Sequence, residues 1–234
     1  MNSNSFHVVT SFNFEGYKLY GKNFIESFSS KDVPLFIGTE DDINLFPKKS
    51  GVTFFNLKKD LSSKLWEGMV SKLPSGLRDS YQFHAHKFCY KVQALNKNDI
   101  LPKEGYRVWI DGDVVFKKII ASKDLQKISN SADLSYLGRK DMWHSECGFI
   151  IFKLNDFGKH FLHRWYWYFF SGRIGLLTEW HDSYVFDIVR REFNSYNANN
   201  ISEAISGINV WEKSILNEYM THLKGNIKFK FKND

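Results

Sequence analysis

Residues 108–116 read VWIDGDVVF: an apolar run stops at two aspartates separated by one glycine, and apolar residues resume at once. Ionised carboxylates are costly to bury unless something pairs with them. In a strand, residues i and i+2 face the same side. Asp111 and Asp113 can therefore converge on one point at the strand's C-terminal end. Gly112, without a Cβ, lets backbone and ligand come close. Two hard oxygen donors suit Mg²⁺ or Mn²⁺, which one or two carboxylates hold together with substrate phosphates. An Asp-Gly hairpin turn has the same appearance, and D-x-D alone leaves both readings open.

Other stretches carry reactive side chains. In SYQFHAHKFCYKVQALNKN (80–98), His84, Lys87 and Lys91 recur at helical spacing as a basic edge, either solvated or facing an anion. His181-Asp182 reads either as a dyad in which a carboxylate removes a proton or as a helix N-cap, with Asp182 ahead of the periodic run SYVFDIV. His144-Ser145-Glu146 has hydrolase residue types, but no nucleophile elbow surrounds the serine.

These groups need elements to hold them. FHVVTS (6–11), VPLFIG (33–38) and VTFFNL (52–57) read as strands. Between the first two, 16–30 has apolar residues at 17, 20, 24 and 28, a helical spacing. Residues 58–80 are mixed, with a loop marked by Pro74 and Gly76. The helix over 80–98 would bury Tyr81, Ala85, Phe88, Val92 and Leu95, and YRVWI (106–110) is the strand that delivers the aspartates. DLSYL (133–137) and CGFIIFKL (147–154) follow as strands, and 156–170, 182–193 and 210–223 as helices. The run WYWYFF (165–170) is too short to span a bilayer and reads as a helix packed on a sheet. Strand–helix alternation predicts the α/β class: a mainly parallel central sheet flanked by helices, in a single domain over 1–234.

Composition agrees. The chain of 234 residues is 43% apolar and 25% charged, enough for a core and too apolar for disorder. No apolar run reaches the roughly 18 residues of a membrane span. The start, MNSNSFHVVT, lacks the basic and apolar regions of a signal peptide, so a cytoplasmic setting is expected. Cys89 and Cys147 match no metal spacing and read as buried free thiols. A net charge of +6 favours anionic partners, but the basic residues are scattered and no nucleic-acid-binding motif appears.

With these stretches in view, the chain resembles the metal-dependent glycosyltransferases of the GT-A fold. WIDGDVVF resembles their D-x-D element, HVVTSFN their nucleotide-binding opening, and YQFHAHKFCYKVQAL the helix that carries a basic residue toward the donor. SECGFIIFKLN, EWHDSYVFDIV and HLKG (222–225) match later motifs in order, so the likeness covers roughly 6–225. It implies a GT-A-like domain with a nucleotide-sugar-binding half (6–116) and an acceptor-side half (117–234). It implies Asp111, Asp113 and His222 as ligands of Mn²⁺ or Mg²⁺, with Asp111 also near the donor ribose. Thr10 would lie near the nucleotide, and Lys91, with Lys87 as its rival, near the donor phosphates. Lys224 would neutralise the diphosphate. Glu146, Gly148 and Asp182 would line the sugar and acceptor side, Glu146 and Asp182 as catalytic residues. Many relatives carry Lys-Pro-Trp after the histidine and glycine; here the lysine precedes Gly225 and no Trp follows. The implied partners are a UDP- or GDP-sugar and a saccharide or other hydroxyl acceptor.

The chemistry of that reaction suits the residues. Glycosyl transfer from a nucleotide sugar expels a nucleoside diphosphate, whose developing charge a divalent cation and a lysine stabilise. The competing enzyme is a phosphatase of the haloacid dehalogenase type, with Asp111 as nucleophile and Asp113 as acid/base. That motif normally opens a chain, whereas here it follows 110 residues with their own strand–helix pattern. A nucleotidyltransferase of related fold and a non-catalytic carbohydrate- or nucleic-acid-binding module are further alternatives. Seven Trp and 11 Tyr would let a binding module stack on sugars or bases.

Overall fold

The computed structural model describes residues 5–57, 61–140, 144–203, 205–207 and 209–223. Its strands are β1 (Phe6–Ser11), β2 (Leu35–Thr39), β3 (Val52–Asn56), β4 (Tyr106–Ile110), β5 (Val114–Phe116), β6 (Leu134–Leu137), β7 (Glu146–Lys153), β8 (Ala198–Asn200) and β9 (Met220–His222). The α-helices are α1 (Phe14–Gly16), α2 (Lys22–Ser27), α3 (Leu61–Ser71), α4 (Ser75–Arg78), α5 (Ala85–Leu95), α6 (Ser122–Ser129), α7 (Asp156–Phe170), α8 (Asp182–Glu192) and α9 (Val210–Lys213).

Seven strands form one sheet in the order β3-β2-β1-β4-β7-β6-β8. β3, β2, β1 and β4 run parallel, as do β6 and β8; β7 is antiparallel to both β4 and β6. The class is thus α/β with a mainly parallel sheet. The strand period of two sorts the side chains. Val8, Val108, Ile110 and Ile151 enter one core with Phe24, Ile25 and Trp211. Val9, Trp109, Ile150 and Phe152 enter a second, against α5, α7 and α8. Both faces of the central strands are covered, and β4 is buried along its whole length, as parallel strands require. The aromatic run of α7 sits in the second core, with Trp165 and Phe169 fully buried.

Several elements differ from the sequence expectation. The helix expected over 16–30 begins at Phe14, passes through a π-helical turn at Tyr17–Gly21 and ends at Ser27. α3 lies within 58–80, where the mixed pattern gave no helix. The helix expected over 80–98 starts later. Tyr81–Phe83 is a 3₁₀ turn, α5 begins at Ala85, and Tyr81 is exposed instead of buried. The largest correction is at 210–223. Only Val210–Lys213 is α-helical; Ile215–Glu218 is a 3₁₀ turn and Met220–His222 is a strand. β9 pairs antiparallel with β5, His222 opposite Val114. That pairing supplies the backbone partners that favour a strand there, across more than 100 residues of sequence. No helix among the described residues is long and apolar enough to cross a membrane.

Candidate metal centre and its cavity

β4 ends at Ile110, and the ladder goes one step further: Asp111 N–H donates to the Gly148 carbonyl at 2.8 Å. The chain then turns, with Val114 N–H donating to the Asp111 carbonyl at 3.2 Å. Asp111-Gly112-Asp113 is therefore a turn, as the hairpin reading expected, but it joins strands of different sheets. Strand alternation does not align the two carboxylates; the turn does. A Cβ on Gly112 would sit 2.6 Å from Phe12 Cδ1, so the tight turn needs glycine on packing grounds.

The β5–β9 pairing brings His222 over this turn, and Leu223 N–H donates to the Asp113 carbonyl at 2.9 Å. His222 Nε2 lies 3.0 Å from Asp113 Oδ1 and 3.8 Å from Asp111 Oδ2. The three side chains offer ligand atoms all within 4.8 Å of one another. His222, expected at the end of a helix over 210–223, is instead a strand residue with its side chain only 7% exposed. Gly148 makes room for it, because a Cβ there would lie 2.9 Å from His222 Cε1. His222 Nδ1 is buried, with no hydrogen-bond partner among the described residues, 3.9 Å from Glu146 Oε1. Two carboxylates and one imidazole with an open side fit a divalent cation that also takes substrate oxygens.

Lys91 is not on a solvated edge. It is buried, donates to the Cys147 carbonyl at 2.9 Å, and pairs with Asp182 and, at 3.1 Å, with Asp111 Oδ1. Burial opposes its charge, but Asp111 and Asp182 outweigh that and hold the ammonium above the ordinary lysine range. Trp109 Nε1 also donates to Asp111 Oδ1, at 2.6 Å. Burial pushes the Asp111 carboxyl up, Asp113 adds to this, and Lys91 and His222 oppose it. His222 is raised: its burial is outweighed by the hydrogen bond and charge of Asp113. Tyr20, beside the aspartates, is pushed up to about 12 by burial and by Asp113, Asp111 and Glu40.

Of these, Tyr20, Lys91, Trp109, Asp111 and Asp113 line a cavity of about 650 Å³, together with Lys87, Arg139, Glu146, Gly148, Asp182 and others, while His222 sits behind the aspartates and is not part of its wall. A second cavity, about 490 Å³, is lined by Phe12, Gly38, Thr39, Glu40, Asp41, Leu57 and Tyr90 among others. Ser11, Tyr20 and Lys87 line both. Glu146 is held by Arg139 Nη2 at 2.9 Å. Asp182 is the first residue of α8; His181, not Asp182, caps that helix, its Nδ1 accepting from Tyr184 N–H at 3.3 Å. Thr10 is buried within the sheet and lines neither cavity. Lys224 lies outside the described residues. Ser145 is structural: its hydroxyl and N–H both donate to Asp187 on α8, at 2.7 and 2.9 Å. Sequence reasoning missed Trp109, Arg139, Tyr20 and Ser11. Only Trp109 had a signal, since it lies two residues before Asp111 on the same strand face.

No protein-family model matches the chain, and no curated protein matches it. Among solved structures, it is similar to a crystal structure of mouse xyloside xylosyltransferase 1 in its apo form. The identity is 13%, the TM-score 0.46, and the match covers 80% of this chain and 82% of that one. At that TM-score the likeness carries no conclusion about activity or substrate.

Proposed function

We propose that the chain is a glycosyltransferase that moves a sugar from a nucleoside-diphosphate sugar, UDP- or GDP-linked, to a saccharide or other hydroxyl acceptor. Asp111, Asp113 and His222 would hold Mn²⁺ or Mg²⁺. One observation carries the reading: donors from two distant parts of the chain meet within 4.8 Å, and both aspartates line the larger cavity. A bound cation supplies charge neutralisation at the departing diphosphate.

The chain's own residues divide the remaining work. Lys91 is committed to Asp111 and Asp182, so its part in this reading is to fix carboxylates at the cavity wall. Lys87, exposed and shared by both cavities, is the lysine for the donor phosphates. Lys224 retains its proposed place at the diphosphate. Gly148 leaves space at the sugar, and Glu146 and Asp182 orient sugar and acceptor hydroxyls. In this reading 6–116 is the nucleotide-sugar half and 117–234 the acceptor half of a single domain. Cys89 and Cys147 are buried and form no disulfide, which suits a reducing cytoplasmic setting.

The test is thermal unfolding with UDP, GDP and CDP, each with and without Mn²⁺. Ligand at about 100 times Kd adds roughly 2.7 kcal/mol, worth about 5–10 °C at this length. The expected result is a rise that needs one nucleotide and Mn²⁺ together and is lost in Asp113→Asn. No rise with any nucleotide, or a rise that survives Asp113→Asn, would overturn the reading. Metal-dependent release of phosphate from simple esters would favour the phosphatase instead.

A further inference from the structure

A second cluster sits at another part of the larger cavity. His144, Glu179 and His181 offer two imidazole nitrogens and a carboxylate oxygen, all within 4.8 Å of one another. Glu179 Oε2 lies 2.7 Å from His181 Nε2 and 3.6 Å from His144 Nε2. His144 precedes β7, and the other two precede α8, so only the fold unites them. Both histidines line the cavity, and His181 is buried. The proposed transfer uses none of the three.

Aromatic rings hold the imidazoles in place. Tyr184 meets His144 edge-on at 5.1 Å between centroids, and Tyr81 lies 5.2 Å from His181. The Thr178 hydroxyl fixes Tyr184 through a 2.8 Å hydrogen bond. Two imidazoles and one carboxylate, with a fourth side open to a cavity, are the donor set of open Zn²⁺ sites. The set at Asp111, Asp113 and His222 is harder, with oxygen predominating. We propose that His144, Glu179 and His181 form a second cation site, for Zn²⁺, whose open position faces the cavity. It stands whether or not the transfer reading holds.

The site has a competitor in the same atoms. His181 Nδ1 accepts from Tyr184 N–H at 3.3 Å, which leaves the ring proton on Nε2, facing Glu179. A cation displaces that proton, as metal binding at histidine generally does. The ring then carries its proton on Nδ1, and this long cap contact is given up. If the cap is worth more than the cation, the cluster is a carboxylate–imidazole pair and nothing else.

Calorimetric titration of the chelator-stripped full chain with Zn²⁺ decides between them. Wild type is expected to bind two equivalents. His144→Gln and Glu179→Gln should each weaken one of them at least about tenfold, the loss that even outer-shell changes bring. Asp113→Asn should weaken the other. His144 is 30% exposed, so His144→Gln spares the core, and far-UV circular dichroism confirms folding. Co²⁺ bound to Asp113→Asn should show the visible absorption of a nitrogen-ligated ion, absent from the His144→Gln/Asp113→Asn double variant. Zn²⁺ binding that is unchanged in both His144→Gln and Glu179→Gln overturns the proposal. A single equivalent lost only in Asp113→Asn does so too, and leaves the first site standing. A single equivalent lost only in His144→Gln supports this site and counts against the first.

Discussion

Two cations are buried beside the central strand, and they are satisfied in opposite ways. Arg107, on β4 itself, has only neutral partners among the described residues. Its guanidinium donates to the Leu95 carbonyl, to Pro102 O at 2.7 Å, to Asn98 Oδ1 at 3.2 Å and to His7 Nε2 at 3.1 Å. Lys91, on α5, meets Asp111, Asp182 and a single carbonyl. Burial pushes Arg107 down to about 10, whereas the carboxylates hold Lys91 above its ordinary range. Carbonyls tie Arg107 to the loop after α5 and give a ligand nothing to exchange. Lys91 holds carboxylates that a second cation can share. One arrangement is scaffold; the other is a charge reservoir facing a cavity.

Two substitutions test that contrast in one urea-denaturation series. Arg107→Ala strands the Leu95 and Pro102 carbonyls and Asn98 Oδ1, and leaves a void. It should cost about 3–5 kcal/mol, since each acceptor left unsatisfied costs about 1–3 kcal/mol and the void adds to that. Lys91→Met should cost less, about 1–3 kcal/mol, because Asp111 borders the cavity and water can reach it. Mn²⁺ should then stabilise Lys91→Met more than wild type, since the cation takes up charge left at Asp111. It should not help Arg107→Ala beyond its effect on wild type. Equal losses with no extra Mn²⁺ response would erase the distinction between the two cations.

The scaffold end carries its own pH signature. Burial first, and then Arg107, pushes His7 down to about 3. The unfolded chain therefore takes up this proton first as the pH falls. The contribution of neutral His7 is complete above about pH 6.5 and lost progressively towards pH 3; by pH 5 the loss is about 2 kcal/mol. His7→Asn should flatten stability between pH 7 and 5 by about that amount. An unchanged acid slope would mean that His7 does not govern it.

The contrast also shows what local sequence can and cannot reveal. β4 and α7 were legible because each carries its signal within itself: a short apolar run for one, an apolar period and an Asn155 cap for the other. The aspartate pair was legible by residue type, although a turn and not strand alternation aligns it. Lys87 and Lys91 share one helical rhythm, yet one is exposed and one buried. What separates them is Asp182, 91 residues away. His222 was misplaced on a helix for the same reason, since its strand partner is Val114. His144 and Glu179 gave no joint signal, because neither spacing nor period links them.

The smallest expected effect concerns Thr10, the residue that family likeness puts beside the nucleotide. It lies in β1 opposite Ile37, fully buried, and its hydroxyl has no hydrogen-bond partner among the described residues. Its neighbour Ser11 lines both cavities. An unsatisfied buried hydroxyl is a liability, and replacing it with a methyl of the same shape is neutral or stabilising. Thr10→Val should therefore change stability by no more than about 1 kcal/mol, in the favourable direction. It should also leave nucleotide affinity untouched, while Ser11→Ala weakens it. The opposite pattern would mean that the nucleotide reaches past the cavity wall to the Thr10 hydroxyl. The lack of a partner at Thr10 would then mark a contact awaiting its ligand, and β1 would belong with Lys91 among the groups that a bound molecule completes.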